Sequence, residues 1–186
     1  IATAILGCTA FWYCHGNIST DVGREAMMSL SVLKGEILYK DILNIYAPMS
    51  YYINALFMLV FGVKLETLYL SGALCSIIFL FTLFKISNKF FEKPLSFAIT
   101  LFVATTCIYN SRLYNFILPY SYGVIFGLTS YAISLYFLLN YKDTKTSKDL
   151  CLCSTFAGIA FANKIEFLPI FLITLIVLFI NKAEIK

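Results

Sequence analysis

The sequence predicts an all-α fold: a polytopic bundle of membrane helices with one amphipathic helix lying along the bilayer surface. Hydrophobic residues make up 60% of the chain and charged residues only 13%, which is about half the charged share of a soluble domain. The mean hydropathy is +0.84, and the apolar runs approach the roughly 20 residues that cross a bilayer. These observations exclude a water-soluble domain, and we expect one transmembrane domain over residues 1–186.

Polar connections divide the chain into seven apolar runs. The first run, Ile1–Tyr13, has no basic segment before it and no small-residue cleavage site after it, so we interpret it as the tail of a membrane helix. Because the chain opens inside an apolar run and stops just after another, we expect the N-terminal fragment of a longer module. The predicted spans are 1–14, 48–62, 67–84, 95–109, 121–140, 150–162 and 167–181.

The connection over residues 15–47 holds four of the ten acidic residues, one of the two arginines and the only histidine. Ionisable side chains gathered at a membrane surface are typical of a functional site. Apolar residues recur there at helical spacing and predict an amphipathic helix over residues 20–34 that lies on the membrane. Gly35 would end this helix. The candidate caps at its start are Ser19, Thr20 and Asp21.

The distribution of charge predicts an orientation, with one conflict. Lysines mark the connections 85–94 and 141–149 as cytoplasmic, whereas residues 15–47 carry more acids than bases and are expected to face outward. If every predicted span crossed the membrane, the three connections could not all lie on the sides that their charges predict. We expect one span not to cross the membrane fully, and 95–109, as a short hairpin, is the first choice.

Asp21 and Glu25 lie four residues apart on one face of the predicted surface helix. A carboxylate in this position can act as general base toward an acceptor hydroxyl, and a nearby cation or metal can stabilise a departing phosphate. The alternative is structural: a helix cap and a solvated acid. Spacing alone favours the structural alternative.

Three other positions carry candidate functional groups. Lys164, followed by Glu166, interrupts two apolar runs; it would be functional in mid-membrane and ordinary in a surface turn. Arg112 is a candidate for phosphate binding or for snorkelling to the interface. In the stretch from Tyr39 to Tyr52, an interfacial aromatic belt explains the tyrosines fully, and Asp41 would be an ordinary loop acid.

Metal and nucleic-acid sites are weakly indicated or excluded. None of the six cysteines has CxxC spacing, so neither a structural zinc site nor a redox pair is predicted. His15, Asp21 and Glu25 form a weak candidate set for a divalent metal, and no cofactor is certain. No basic run interleaved with aromatic residues is present, which excludes a nucleic-acid partner.

The order of these elements resembles the GT-C superfamily of membrane glycosyltransferases that use polyprenyl-phosphate sugars, in particular the protein mannosyltransferase and aminoarabinose transferase families. Bacterial members run Asp-x-Gly, Ala, Gly, Tyr-x-Asp, Gly-Pro-Leu-x-Tyr-Tyr and Phe-Gly, and later Gly-x-Ala-x-x-Thr-Lys. The matching residues here are Asp21-Val22-Gly23, Ala26, Gly35, Tyr39-Lys40-Asp41, Ala47-Pro48-Met49-Ser50-Tyr51-Tyr52, Phe61-Gly62 and Gly158-Ile159-Ala160-Phe161-Ala162-Asn163-Lys164.

The resemblance implies roles for individual residues. Asp21 matches the acid that serves as catalytic base in the first outward loop. Tyr39 and Asp41 match a second pair near the donor pocket, and Lys164 matches a lysine of less defined role. The chain departs from the pattern at Ala47, where some members have a lysine that contacts the donor phosphate. The phosphate contact is then expected from Arg24, Lys40, Arg112 or Lys164, with Glu25 as a further candidate for binding donor or acceptor.

The resemblance also implies an activity and a location. It implies inverting transfer of a sugar from a polyprenyl-phosphate donor to an acceptor glycan, lipid or protein, at the outer face of the bacterial plasma membrane. The lipid bilayer holds the donor's tail. A transporter or flippase of a lipid-linked sugar is the alternative; it predicts polar residues along several spans, whereas the spans here are mostly apolar.

Overall fold

The computed structural model describes residues 20–108 and 115–184, and this part of the chain is built from α-helices, as predicted. A single isolated bridge between Leu38 and Ile42 is the one β-type pairing within these residues. The helices are α1 (Asp21–Leu33), α2 (Met49–Phe61), α3 (Leu65–Ser87), α4 (Lys93–Cys107), α5 (Tyr122–Thr144), α6 (Ser147–Asn163) and α7 (Leu168–Glu184), with a 3₁₀ turn (Ile165–Phe167) before α7.

Helix α1 begins and ends close to the residues expected from the sequence. It starts at Asp21, after Thr20, whose side chain makes no capping hydrogen bond. At its other end Gly35 adopts φ +91°, a conformation that favours glycine. The Gly35 N–H donates to Val32 O at 3.0 Å and the Glu36 N–H donates to Ser31 O at 3.1 Å. These two bonds form a Schellman motif, which satisfies carbonyls that would otherwise lack partners.

Helices α3 and α5 form the centre of the bundle and run parallel to each other. Each has 23 residues and is long and apolar enough to cross a membrane. Contacts join their starts, their middles and their ends. These contacts are Tyr122 Oη to Leu68 O at 2.8 Å, Cys75 Sγ to Thr129 Oγ1 at 3.0 Å, and Lys89 Nζ to Asp143 Oδ2 at 2.8 Å.

The parallel arrangement decides how the intervening segment runs. Since α3 ends at one end of the bundle and α5 starts at the other, the chain returns to the α5 start between Ser87 and Tyr122. Helix α4 lies within this return segment and packs against α3. This geometry argues against the short hairpin that the sequence suggested at 95–109. We call the end with Lys89 and Asp143 the lysine end, and the opposite end the α1 end.

Helices α6 and α7 complete the bundle as an antiparallel pair beside α5. Helix α6 packs closely on α5, and Ser134 Oγ donates to Cys153 O at 2.9 Å. The turn between α6 and α7 lies at the α1 end, where Phe167 contacts Gly127 so closely that a Cβ there would lie 2.2 Å from the ring. The core consists of buried apolar side chains of α2, α3, α4 and α5 together with Val22 of α1.

Polar packing inside the bundle relies on small residues. An added Cβ at Gly72 would lie 2.0 Å from Ile117 O, so α3 contacts the backbone of the segment before α5 directly. The Ser76 hydroxyl donates to Gly72 O at 2.8 Å and lies 3.2 Å from Phe116 O. This contact fixes residues 115–121 against α3 and thereby positions the start of α5.

Candidate active site

Asp21 and Arg24 form an ion pair at the α1 end of the bundle. Arg24 Nη1 lies 3.1 Å from Asp21 Oδ1 across one turn of α1, and the two side chains are 29% and 36% exposed. The Arg24 guanidinium also lies 4.6 Å from the centre of the Tyr46 ring. The Asp21 and Arg24 side chains are therefore held in place and remain open to solvent, a combination that suits contact with a substrate.

Tyr39 and Asp41 organise the loop that follows α1. Asp41 Oδ2 accepts the Ile37 N–H at 2.9 Å, and the Tyr39 hydroxyl donates to Tyr46 O at 2.5 Å. Tyr39 adopts a left-handed φ of +69°, which is uncommon for a residue with a side chain. Desolvation raises the pKa of Tyr39, opposed by a hydrogen bond with Asn44. Tyr46 connects this loop to Arg24, because its carbonyl accepts the Tyr39 hydroxyl and its ring lies under the Arg24 guanidinium.

Glu25 lies beneath α1 and is only 2% exposed. Its carboxylate faces the start of α5, where the backbone of Tyr122 lowers its pKa. Burial raises the pKa of Glu25 from 4.5 to about 7, while Arg24 opposes that shift and Asp21 adds to it. Glu25 thus differs sharply from the exposed acid that the sequence pattern suggested, because it faces the bundle instead of solvent.

A chain of buried polar groups extends from this point into the bundle, and sequence reasoning missed it. Ser71 Oγ lies 2.8 Å from Asn54 Oδ1 and 2.9 Å from Leu68 O. The Tyr122 hydroxyl donates to the same Leu68 carbonyl at 2.8 Å. Asn54 is fully buried, and its Nδ2 has no hydrogen-bond partner in the part of the chain that the structure describes. The one signal in the sequence was the amide of Asn54 inside an otherwise apolar run.

Lys164 lies in the turn between α6 and α7, also at the α1 end. Its Nζ is 3.1 Å from Glu166 Oε1, and both side chains are partly exposed. This placement agrees with the surface-turn alternative. The structure thus brings five predicted site residues and Lys164 to one end of the bundle. The five are Asp21, Arg24, Glu25, Tyr39 and Asp41.

Some predicted residues lie outside the described part of the chain, namely His15 and Arg112. Within residues 20–108 and 115–184, no three His, Cys, Asp or Glu side chains are grouped so as to hold a metal ion. Cys153 is buried beside Ser134 and Thr174, while Cys151 is exposed. The Cys151–Cys153 pair therefore presents its two side chains to different surroundings and forms no common site.

Comparison with known protein families shows which family the chain belongs to. The family model described as dolichyl-phosphate-mannose-protein mannosyltransferase matches residues 46–186, which is well over half of the sequence. Comparison with curated proteins and with solved structures gave no match. The matched segment starts at Tyr46, so α1 and the Tyr39–Asp41 loop lie just before it. The chain belongs to the dolichyl-phosphate-mannose-protein mannosyltransferase family, membrane glycosyltransferases that use polyprenyl-phosphate sugars.

Proposed function

We propose that this protein transfers a sugar, with inversion, from a polyprenyl-phosphate donor to an acceptor hydroxyl at the outer face of the membrane, with Asp21 as general base. Family membership carries the reaction class. The observation that supports the site is the solvent-accessible Asp21–Arg24 pair at the α1 end. An outward site suits a donor whose polyprenyl tail lies in the bilayer while its phosphate and sugar stand at the interface.

The orientation is supported by the charge at the opposite end. Lys85, Lys89 and Lys93 lie at the lysine end together with Lys142 and Lys145. Positively charged connections are retained on the cytoplasmic side. The α1 end would then face outward, together with Asp21, Arg24 and Lys164.

The proposed chemistry is a single displacement. Asp21 accepts the proton of the acceptor hydroxyl, and the acceptor oxygen forms a bond to the anomeric carbon. The bond from that carbon to the phosphate oxygen breaks, and its electron pair leaves with polyprenyl phosphate. Cations near the departing phosphate stabilise the charge that develops there; Arg24 and Lys164 are the candidates within the described residues.

Asp21→Asn tests the proposal. Membranes carrying the full-length protein would be incubated with labelled polyprenyl-phosphate sugars, and label in the acceptor fraction would be measured. We expect wild type to transfer label and Asp21→Asn to lose transfer by about 100-fold or more, because a positioned general base contributes about 10²–10⁴-fold. The mutant should still fold, since a partly exposed ion pair contributes only about 0–1 kcal/mol.

Glu36→Gln is the matched control, because Glu36 is an exposed acid in the same outward segment. It should transfer label like wild type. Full transfer by Asp21→Asn would remove Asp21 from the role of base. Absence of transfer with every donor, combined with protection of the donor from an added hydrolase, would favour the flippase alternative instead.

A further inference from the structure

The lysine end of the bundle brings together basic side chains from two helices. Lys85 and Lys89 lie one turn apart near the end of α3, and Lys142 and Lys145 lie at the end of α5. An ion pair joins the two helix ends, because Lys89 Nζ lies 2.8 Å from Asp143 Oδ2. The lysines of α3 and α5 therefore share one area of the surface.

The acidic residues in this area do not balance its positive charge. Residues 85–93 and 142–149 hold six lysines but only three acidic residues, so their net charge is +3. In the part of the chain that the structure describes, Lys89 is the only one of these six lysines that forms an ion pair. The ammonium groups of the other five are available to an anion from outside the chain.

The depth of these lysines in the bilayer follows from the length of α3 and from two ring contacts. With 23 residues, α3 is about 34 Å long, close to the roughly 30 Å hydrocarbon core. Lys85 Nζ lies 5.4 Å from the centre of the Phe81 ring, and Lys145 Nζ lies 5.5 Å from the centre of the Tyr141 ring. Lysines that lie along apolar surface near a helix end are typical of the membrane interface. Both ammonium groups are thus expected at the level of the lipid headgroups.

Two aromatic side chains project from the same end, in the connection between α3 and α4. Phe90 and Phe91 are 62% and 49% exposed. Their backbone N–H groups both donate to Ser87 O, at 3.0 and 2.9 Å, so the turn is ordered and keeps the rings out of the core. Exposed rings beside lysines are stabilised among headgroups and the adjoining acyl carbons. A free phosphate ion would leave these rings in water, which favours a lipid as the occupant.

We propose that the lysine end is a binding surface for anionic phospholipids, with the lysines of α3 and α5 on the phosphate groups and Phe90 and Phe91 among the acyl chains. The net charge of +3 complements the negative headgroups. With the proposed orientation, these lipids belong to the cytoplasmic leaflet. The surface lies at the opposite end from the candidate active site, so the proposal depends on no catalytic role.

Lipid titrations of the full-length protein in detergent test this proposal. The Tm measured at increasing lipid concentration gives an apparent Kd, for anionic phosphatidylglycerol and for neutral phosphatidylcholine with the same acyl chains. We expect wild type to bind phosphatidylglycerol about tenfold more tightly or better, and added salt should weaken this preference. Inorganic phosphate at equal concentration should not compete. Equal affinity for the two lipids, or competition by phosphate, would overturn the proposal.

Lys85→Gln/Lys142→Gln removes one lysine from each helix. Its affinity for phosphatidylglycerol should fall by about tenfold, while its affinity for phosphatidylcholine stays the same. Without lipid its Tm should equal that of wild type, because neither lysine forms an ion pair in the described part of the chain. Lys85→Arg/Lys142→Arg keeps the charge and should keep the binding. The matched control is Lys34→Gln/Lys64→Gln, which removes two exposed lysines outside the lysine end. Unchanged binding in Lys85→Gln/Lys142→Gln, or an equal loss in the control, would refute the proposed surface.

Phe90→Ser/Phe91→Ser tests the contribution of the rings. This variant should bind both lipids more weakly by a similar factor, since an apolar contact does not distinguish the headgroups. Its preference for phosphatidylglycerol over phosphatidylcholine should therefore remain. Unchanged affinity for both lipids would show that the rings lie outside the binding surface and would contradict this part of the proposal.

Discussion

Two carboxylates one helical turn apart have opposite surroundings in this protein. Asp21 lies at the exposed start of α1 and pairs with Arg24, whereas Glu25 lies between α1 and α5 with its charge poorly compensated. The difference arises from helix rotation, since residues 22, 25 and 29 share the face that packs on the bundle. Environment, not residue type, therefore separates a candidate base from a structural contact.

Glu25 should make the stability of α1 depend on pH. Its pKa rises from 4.5 in the unfolded chain to about 7 in the folded protein, so the folded state binds more protons between these values. The contribution is fully present below pH 4.5 and is lost as pH rises through about 7, a change of about 3 kcal/mol. Glu25→Gln should flatten the dependence of Tm on pH over this window in detergent.

The exposed Glu36 supplies the comparison for that measurement. Glu36→Gln should keep the slope of the wild type. If Tm depends on pH as strongly in Glu25→Gln as in wild type, another group titrates in this window. The burial of Glu25 then has no effect on the pH dependence of stability.

Arg24→Lys should reduce transfer far more than it reduces stability. Arginine pairs with Asp21 and also lies over Tyr46, and a planar guanidinium makes both contacts where a lysine ammonium does not. We expect transfer to fall by about tenfold or more, with a change in the free energy of unfolding of about 1 kcal/mol or less. Initial rates and Tm measure the two effects.

Lys34→Arg is a suitable control because Lys34 is exposed just after α1. Wild-type transfer by Arg24→Lys would mean that only the positive charge matters at position 24. A large fall in Tm would mean that the ion pair and the ring contact stabilise the fold more than their exposure indicates.

At the scale of helices, the close approach of α3 to the segment before α5 positions the start of α5 at the α1 end, where the candidate site lies. Glycine at position 72 brings the two backbones together, and the Tyr122 hydroxyl donates to Leu68 O at 2.8 Å. The start of α5 is therefore held against α3 by the Tyr122 hydroxyl and by the close contact at Gly72.

Gly72→Ala should destabilise the protein by about 1–3 kcal/mol, because its methyl group would overlap the backbone carbonyl of Ile117, which does not rotate away. Gly158→Ala is the matched control on α6: the nearest atom to its Cβ would be 3.9 Å away, in Phe171. Removing a helical glycine should there raise stability by about 0.5–1 kcal/mol. Thermal unfolding in detergent measures both, and equal effects would refute the close contact of α3.

For the whole molecule, the bundle suggests an orientation that satisfies the three charged connections. Helix α2 has 13 residues and is about 20 Å long, shorter than the roughly 30 Å hydrocarbon core. It packs on α1 as well as on α3. If α2 does not cross the membrane and remains on the outward side, the connections before and after it, 34–48 and 62–64, both face outward. The connections 88–92 and 145–146 then both face the cytoplasm.

Accessibility of introduced cysteines tests this orientation. In a background without native cysteines, Val63→Cys between α2 and α3 should react with an impermeant reagent in intact cells. Phe90→Cys at the lysine end should react only after permeabilisation, and Glu36→Cys serves as the outward reference. Protection of Val63→Cys in intact cells would show that α2 crosses the membrane, as the sequence first suggested for 48–62.

The sequence by itself determined the helical fold and the boundaries of α1, because hydrophobic periodicity, composition and Gly35 act locally along the chain. The family followed from the resemblance of its ordered motifs. The sequence also marked Asp21, Tyr39 and Asp41 through an ordered motif. Only the tertiary structure decided that α3 and α5 are parallel, that Lys164 lies in a turn, and that Glu25 is buried against the bundle. These features depend on contacts between residues far apart in sequence, such as Leu68 and Tyr122, and local patterns do not specify which helix faces meet.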